Sequence, residues 1–164
     1  MKSLKISCML AALALLAAPA WAGDDPKAAL DSLNSKLGAL GAAKLDGTAK
    51  VGEKTLPALF FGPRRINGNY DAVDDIKKST GAAATVFVKD GEEFVRVSTN
   101  VLTKEGKRGV GTQLARNKAY ESLSKGERWC GMIDVLGTQL DSCYDPIRDA
   151  GGKTIGATYV GYKK

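Results

Sequence analysis

The chain has 164 residues, a formal charge of +6, 44% hydrophobic residues and no histidine. Without histidine the usual general base and the commonest metal ligand are missing, which removes most hydrolase and metalloenzyme classes. No spacing of carboxylates or lysines suggests other chemistry, so neither a metal nor a cofactor is expected. The charge is modest and spread along the chain, which describes a solvated surface and argues against a nucleic-acid partner.

The first 22 residues read as a cleavable secretory signal. Met1-Lys2-Ser3-Leu4-Lys5 is a basic start, Ile6 to Ala18 is uncharged, and Ala20-Trp21-Ala22 before Gly23 has small residues where a signal peptidase cuts. The alternative is an uncleaved anchor, but a spanning helix needs about 20 apolar residues, and this run is shorter and meets Pro19. Cys8 lies at the start of the apolar run, away from a lipoprotein-type site, and leaves with the signal. Taking off Lys2 and Lys5 leaves a mature charge of +4. The expected organisation is a signal over 1–22, an amphipathic helix over 23–46 and one domain over 47–164, exported to the periplasm.

After Asp24-Asp25-Pro26, a cap followed by a first-turn proline, Leu30, Leu33, Leu37 and Leu40 recur at helical spacing. A helix is predicted over Pro26–Lys44, ended by Asp46-Gly47. Its stripe can pack on a sheet or pair with a second copy, so a homodimer stays open. Strands are predicted over Thr48–Val51, Lys54–Phe61, Ala84–Val88 and Glu92–Ser98, the last two joined at Asp90-Gly91. A short helix fits Tyr70–Ser79 and another Asn117–Ser124, followed by strands over Trp129–Val135, Leu140–Ile147 and Thr154–Tyr162. This order implies an α+β domain with a mainly antiparallel sheet of about five strands.

A two-residue turn at Leu136-Gly137 would set 135 against 138 and Cys130 directly across from Cys143. That is a non-hydrogen-bonded pair with Cα atoms about 4.5 Å apart, within reach of a disulfide. In an oxidising compartment an isolated cysteine pair is more often a disulfide than a metal site. The bridge closes a short loop and is expected to add at most roughly 2–3 kcal/mol. The same register puts Trp129, Gly131 and Ile133 on one face with Leu140, Ser142 and Tyr144. That mixture suits a small pocket; plain core packing is the alternative. In the earlier hairpin Phe94, Arg96 and Ser98 alternate onto one face. A lone arginine in an apolar strand either reaches solvent at an edge or binds an anion.

The stretch Ala84-Thr-Val-Phe-Val-Lys-Asp-Gly-Glu-Glu-Phe-Val-Arg-Val-Ser-Thr-Asn-Val101, with Gly111-Thr112, Ala119-Tyr120 and the run Tyr144 to Tyr162, resembles the extracytoplasmic Cache domains of methyl-accepting chemotaxis proteins, of the Cache 3/Cache 2 type. The resemblance runs from about Val51 to Tyr162 and includes Pro-Ile-x-Asp-x-x-Gly-Lys-x-Ile-Gly and Tyr-Val-Gly-Tyr. It implies a PAS-like fold: a long N-terminal helix on a central antiparallel sheet, with a ligand cavity on the opposite face. It also implies sensing of small metabolites, often carboxylates, without catalysis.

Related citrate- and dicarboxylate-sensing domains carry basic residues at positions that match Ser142 and Tyr144, so this chain lacks those charges. A monocarboxylate or neutral metabolite is expected rather than a di- or tricarboxylate, with Arg96 as the strand-borne anion partner. Trp129, Ser142 and Tyr144 are the other candidate ligand-binding residues, and Ser98, Thr99 and Tyr120 could add hydrogen bonds. A receptor of this kind continues into a membrane helix and a signalling module, and neither is expected after Lys163-Lys164. The expectation is a stand-alone sensor that reports to a separate membrane sensor kinase or chemoreceptor. The rivals are a ligand carrier, a structural or interaction protein whose cavity is filled by its own side chains, and, third, an enzyme.

Overall fold

The computed structural model describes residues 24–164, so the leader and the cleavage expected after Ala22 lie outside the described residues. Helix α1 (Pro26–Gly38) starts as its sequence predicts: the Asp25 carboxylate accepts from Lys27 N at 2.9 Å and Pro26 occupies the first turn. It buries Ala29, Leu30, Leu33 and Leu37. The helix stops at Gly38 rather than Lys44. At Gly41 the backbone has φ +129° and runs against Gly62, where a Cβ would meet Gly62 Cα at 2.7 Å, so only glycine allows the crossing. Beyond it Ala43 and Lys44 are taken into β1 (Ala43–Val51) by pairing with β2 (Lys54–Phe61). Asp46-Gly47, expected to end the helix, falls in an irregularity of that ladder between Leu45 and Thr48.

β1, β2 and the two-residue β3 (Arg64–Arg65) make a three-stranded sheet of their own. Asn67 closes it from inside, accepting from Leu59 N at 2.8 Å and donating to Pro57 O at 3.0 Å. Helix α2 (Asp71–Thr80) follows and ends on Gly81 in the left-handed region.

The expected five-stranded antiparallel sheet is present. It contains β4 (Ala83–Asp90), β5 (Glu93–Thr99), β6 (Trp129–Val135), β7 (Thr138–Arg148) and β8 (Thr154–Lys163), in the order β5-β4-β8-β7-β6. The first and last of these strands meet in the middle, and α3 (Lys118–Ser124) lies in the connection between the two hairpins. α1, α2 and the small sheet cover one face, packing on Val86, Val88, Val97, Cys143 and Val160. α3 and the segment before it cover the other, packing on Phe87, Phe94, Tyr144, Ala157 and Tyr159.

Two local geometries set what each face presents. Leu136 (φ 52°) and Gly137 (φ 89°) form the two-residue turn, both with the positive φ that a type I′ turn needs. The register is therefore the predicted one, Val135 opposite Thr138 and Cys130 opposite Cys143, and the two cysteines are bridged with Cα atoms 4.1 Å apart. In the β4–β5 hairpin, however, the ladder slips between Val86 and Phe87: Phe87 faces Arg96, but Val86 faces Ser98. Val97 is the extra residue of a β-bulge, and a bulge reverses the alternation beyond it. Ser98 therefore does not share a face with Arg96. It points to the α2 side and donates to Asn69 O at 2.6 Å, while Thr99 takes the other face and pairs with Thr85 at 2.6 Å between hydroxyls.

Candidate functional site

On the face away from α1, one row of aromatic side chains crosses three strands. Trp129 on β6 is opposite Tyr144 on β7, and Tyr144 is opposite Tyr159 on β8. Ring centroids are 6.1 Å apart for the first pair and 4.7 Å for the second. Phe87 extends the row from β4, 6.4 Å from Tyr144, and the Arg96 guanidinium lies 4.9 Å above the Phe87 ring.

Arg96 is 3% exposed. Its Nη1 donates to Thr112 Oγ1 and to Gln113 O, both at 3.0 Å, while Nε has no hydrogen-bond partner. Among the described residues no carboxylate pairs with it. Thr112 is held there because its strip of chain runs along the outer edge of β5, Arg96 N donating to Thr112 O at 2.9 Å and Gly111 N to Arg96 O at 2.8 Å. Burial lowers the Arg96 pKa from its ordinary value, opposed by the phenols of Tyr144 and Tyr159.

Tyr159 is fully buried, and its Oη also has no hydrogen-bond partner. It lies beside Ser142 Oγ over Gly161: a Cβ added there would be 2.3 Å from Tyr159 Oη and 2.9 Å from Ser142 Oγ. Ser142 Oγ instead donates to Leu140 O at 3.2 Å. Burial pushes the Tyr159 pKa up to about 12, against the pull of the Ser142 hydroxyl and the Arg96 charge. Tyr144 is pushed up further, by burial first and then by Tyr159.

Buried polar atoms without partners are rare in folded proteins and costly to maintain. Here a guanidinium N–H and a phenol hydroxyl are both unspent within one aromatic-lined cluster. Together they can accept an anion and one further polar group, with the rings covering its carbon skeleton.

The structure thus brings Arg96, Trp129, Ser142 and Tyr144 together. Ser98 is on the opposite side of the sheet because of the bulge at Val97. Tyr120 lies at the far end, its ring edge-on to Phe94 at 6.0 Å and its hydroxyl donating to Glu92 O at 2.8 Å, so it serves the β4–β5 turn. Tyr159 and Thr112 are the residues that sequence reasoning missed. Tyr159 could have been found by carrying the alternation of β7 across to a neighbouring strand. Thr112, in a loop, has no periodicity to reveal it. Two clefts open on the α1 side of the sheet. One of about 490 Å³ is bounded by Asn34, Phe61, Asp145 and Arg148, and one of about 310 Å³ lies between α1 and α2 against Ser98.

A central antiparallel sheet with a helix on one face and a buried polar cluster beneath loops on the other is the build of a PAS-like sensory domain. The family model for the Cache 3/Cache 2 fusion domain matches residues 26–164, and the chain belongs to that family. Among solved structures it is similar to the crystal structure of the E. coli DcuS sensor domain, with 16% identity, a TM-score of 0.41, and coverage of 56% of this chain and 62% of that one. The chain thus spans less than two thirds of that domain, and the likeness is too slight to transfer anything from it. No curated protein matches the sequence. Among the described residues no helix is long and apolar enough to cross a membrane.

Proposed function

We propose that this protein senses a small organic monoanion outside the cytoplasm, binds it in the cluster around Arg96 and Tyr159, and reports its occupancy to a separate membrane partner such as a sensor kinase or chemoreceptor. The observation that carries the reading is the pair of unspent buried donors, Arg96 Nε and Tyr159 Oη, the first belonging to a buried guanidinium that has no carboxylate partner among the described residues. One buried cation balances one negative charge, so a monocarboxylate fits better than a di- or tricarboxylate, whose second charge would be buried without a partner. The signal-like leader and the Cys130–Cys143 bridge support an oxidising location such as the periplasm. Signalling further requires that bound and free forms differ in affinity for the partner.

The test is thermal unfolding of the protein with acetate, lactate, pyruvate, benzoate, succinate, citrate, amino acids and purines. A ligand at 100 times its Kd stabilises by about 2.7 kcal/mol. A monocarboxylate is expected to raise Tm in the parent and not in Arg96→Met. No shift with any compound, or a shift that Arg96→Met retains, overturns the reading. The full burial of Tyr144 and Tyr159 favours the rival in which the protein's own side chains fill this face and it works through protein contacts; that rival predicts no shift.

A further inference from the structure

Three residues of the aromatic row have a chain neighbour that holds α1. Tyr144 is followed by Asp145, Tyr159 is preceded by Thr158, and Trp129 is preceded by Arg128. Because successive strand residues face opposite sides, these neighbours emerge on the α1 face, and there they converge on two residues of that helix. Thr158 Oγ1 donates to Asn34 Oδ1 at 2.7 Å, and Asn34 Nδ2 donates to Asp145 Oδ2 at 2.8 Å. Arg128 donates to both oxygens of Asp145 at 3.1 Å and to Asp31 at 2.9 Å. Asp145 and Thr158 are themselves a cross-strand pair, one step along the ladder from Tyr144 and Tyr159.

We propose that Asn34 is a latch through which the packing of the Tyr144–Tyr159 pair sets the position of α1. This rests on the reading of that pair as part of the ligand site. The Asn34 amide is used at both ends, one atom accepting from β8 and the other donating to β7, so it reads the relative position of the two central strands. A bound molecule has to part the two rings, whose centroids are 4.7 Å apart and whose side chains are buried. Parting them shifts Asp145 against Thr158, and Asn34 cannot then satisfy both. The salt bridge from Arg128 to Asp31 is half exposed and contributes little by comparison.

The latch can be tested without any ligand by hydrogen exchange of a peptide spanning α1. Gly161→Ala inserts a methyl group beneath Tyr159 and displaces its ring as a bound molecule would. It is expected to speed α1 exchange by at least roughly twofold and at most roughly 150-fold, the range of couplings between linked residues. In an Asn34→Ala background the same substitution is expected to have no further effect on α1. Tyr144→Leu, which takes away one ring of the pair, serves as the alternative disturbance if Gly161→Ala does not fold. Equal effects of the disturbance with and without Asn34 overturn the latch. A failed ligand panel with Asn34-dependent exchange overturns the ligand reading alone, and a positive panel with Asn34-independent exchange overturns the latch alone.

Discussion

Arg96 and Phe87 face each other across the β4–β5 ladder, and the guanidinium carbon lies 4.9 Å from the ring centroid. The stacking and two hydrogen bonds are what the fold offers a cation that is 3% exposed. Burying an ion costs several kcal/mol, and an apolar residue of similar volume often does as well or better. Arg96→Met is therefore expected to leave stability within about 1 kcal/mol of the parent or to raise it, measured by urea unfolding, while the response to monocarboxylates disappears. A loss above about 3 kcal/mol, the scale of a broken buried ion pair, would mean that Arg96 is there for the fold.

The strands of the central sheet were legible because each signal was local. The Leu136-Gly137 turn fixed the register of a hairpin, and the register placed Cys130 against Cys143 and Trp129 beside Tyr144. The end of α1 was not legible, because Leu40 continues the leucine stripe and only the crossing of Gly41 over Gly62, between distant parts of the chain, diverts it. The separate three-stranded sheet escaped for a similar reason, since pairing partners are set by the whole fold. In the site, Ser98 was misplaced by one inserted residue that alternation cannot reveal. Tyr159 escaped because the Asp149–Lys153 turn that joins β7 to β8 is flanked by an irregularity between Ile147 and Arg148, so counting back from the turn does not give the register.

Burial of two phenols makes the fold sensitive to alkali. Tyr159 is held at about 12 and Tyr144 is raised more strongly, so in the native state both keep protons that the unfolded chain releases near pH 10. Native protein then binds more protons than unfolded protein, and stability falls as pH rises through this window. Below pH 10 the contribution is fully present. Between pH 10 and 12 each phenol is expected to remove about 1.4 kcal/mol per pH unit. Absorbance at 295 nm checks the sign directly: of the five tyrosines, Tyr144 and Tyr159 should ionise only as the protein unfolds. Early ionisation of all five would show that the row is open to water.

The Cys130–Cys143 bridge lies on the α1 face, one position away from Trp129 and Tyr144. Its loop is short, so the double substitution Cys130→Ala with Cys143→Ala is expected to cost about 2–3 kcal/mol in urea unfolding. The turn and the ladder to β8 still hold the register, so the ligand response should persist at temperatures where the variant is folded. Loss of the response with the fold intact would show that the bridge itself aligns the aromatic row.

Ser98 and Thr99 offer a direct check on the bulge at Val97. If alternation ran unbroken along β5, Ser98 would stand next to Arg96 and its hydroxyl could meet the ligand. In the structure it donates to Asn69 O on the other side of the sheet, a bond of ordinary strength to a half-buried carbonyl. Ser98→Ala is accordingly expected to cost about 1 kcal/mol and to leave the monocarboxylate-induced rise in Tm unchanged. Thr99 shares the Arg96 face and pairs with Thr85 in a fully buried contact. Thr99→Val leaves Thr85 with an unsatisfied hydroxyl and should cost more, about 1–3 kcal/mol. The reverse ranking in urea unfolding, or a ligand response lost in Ser98→Ala, would restore the unbroken strand and return Ser98 to the site.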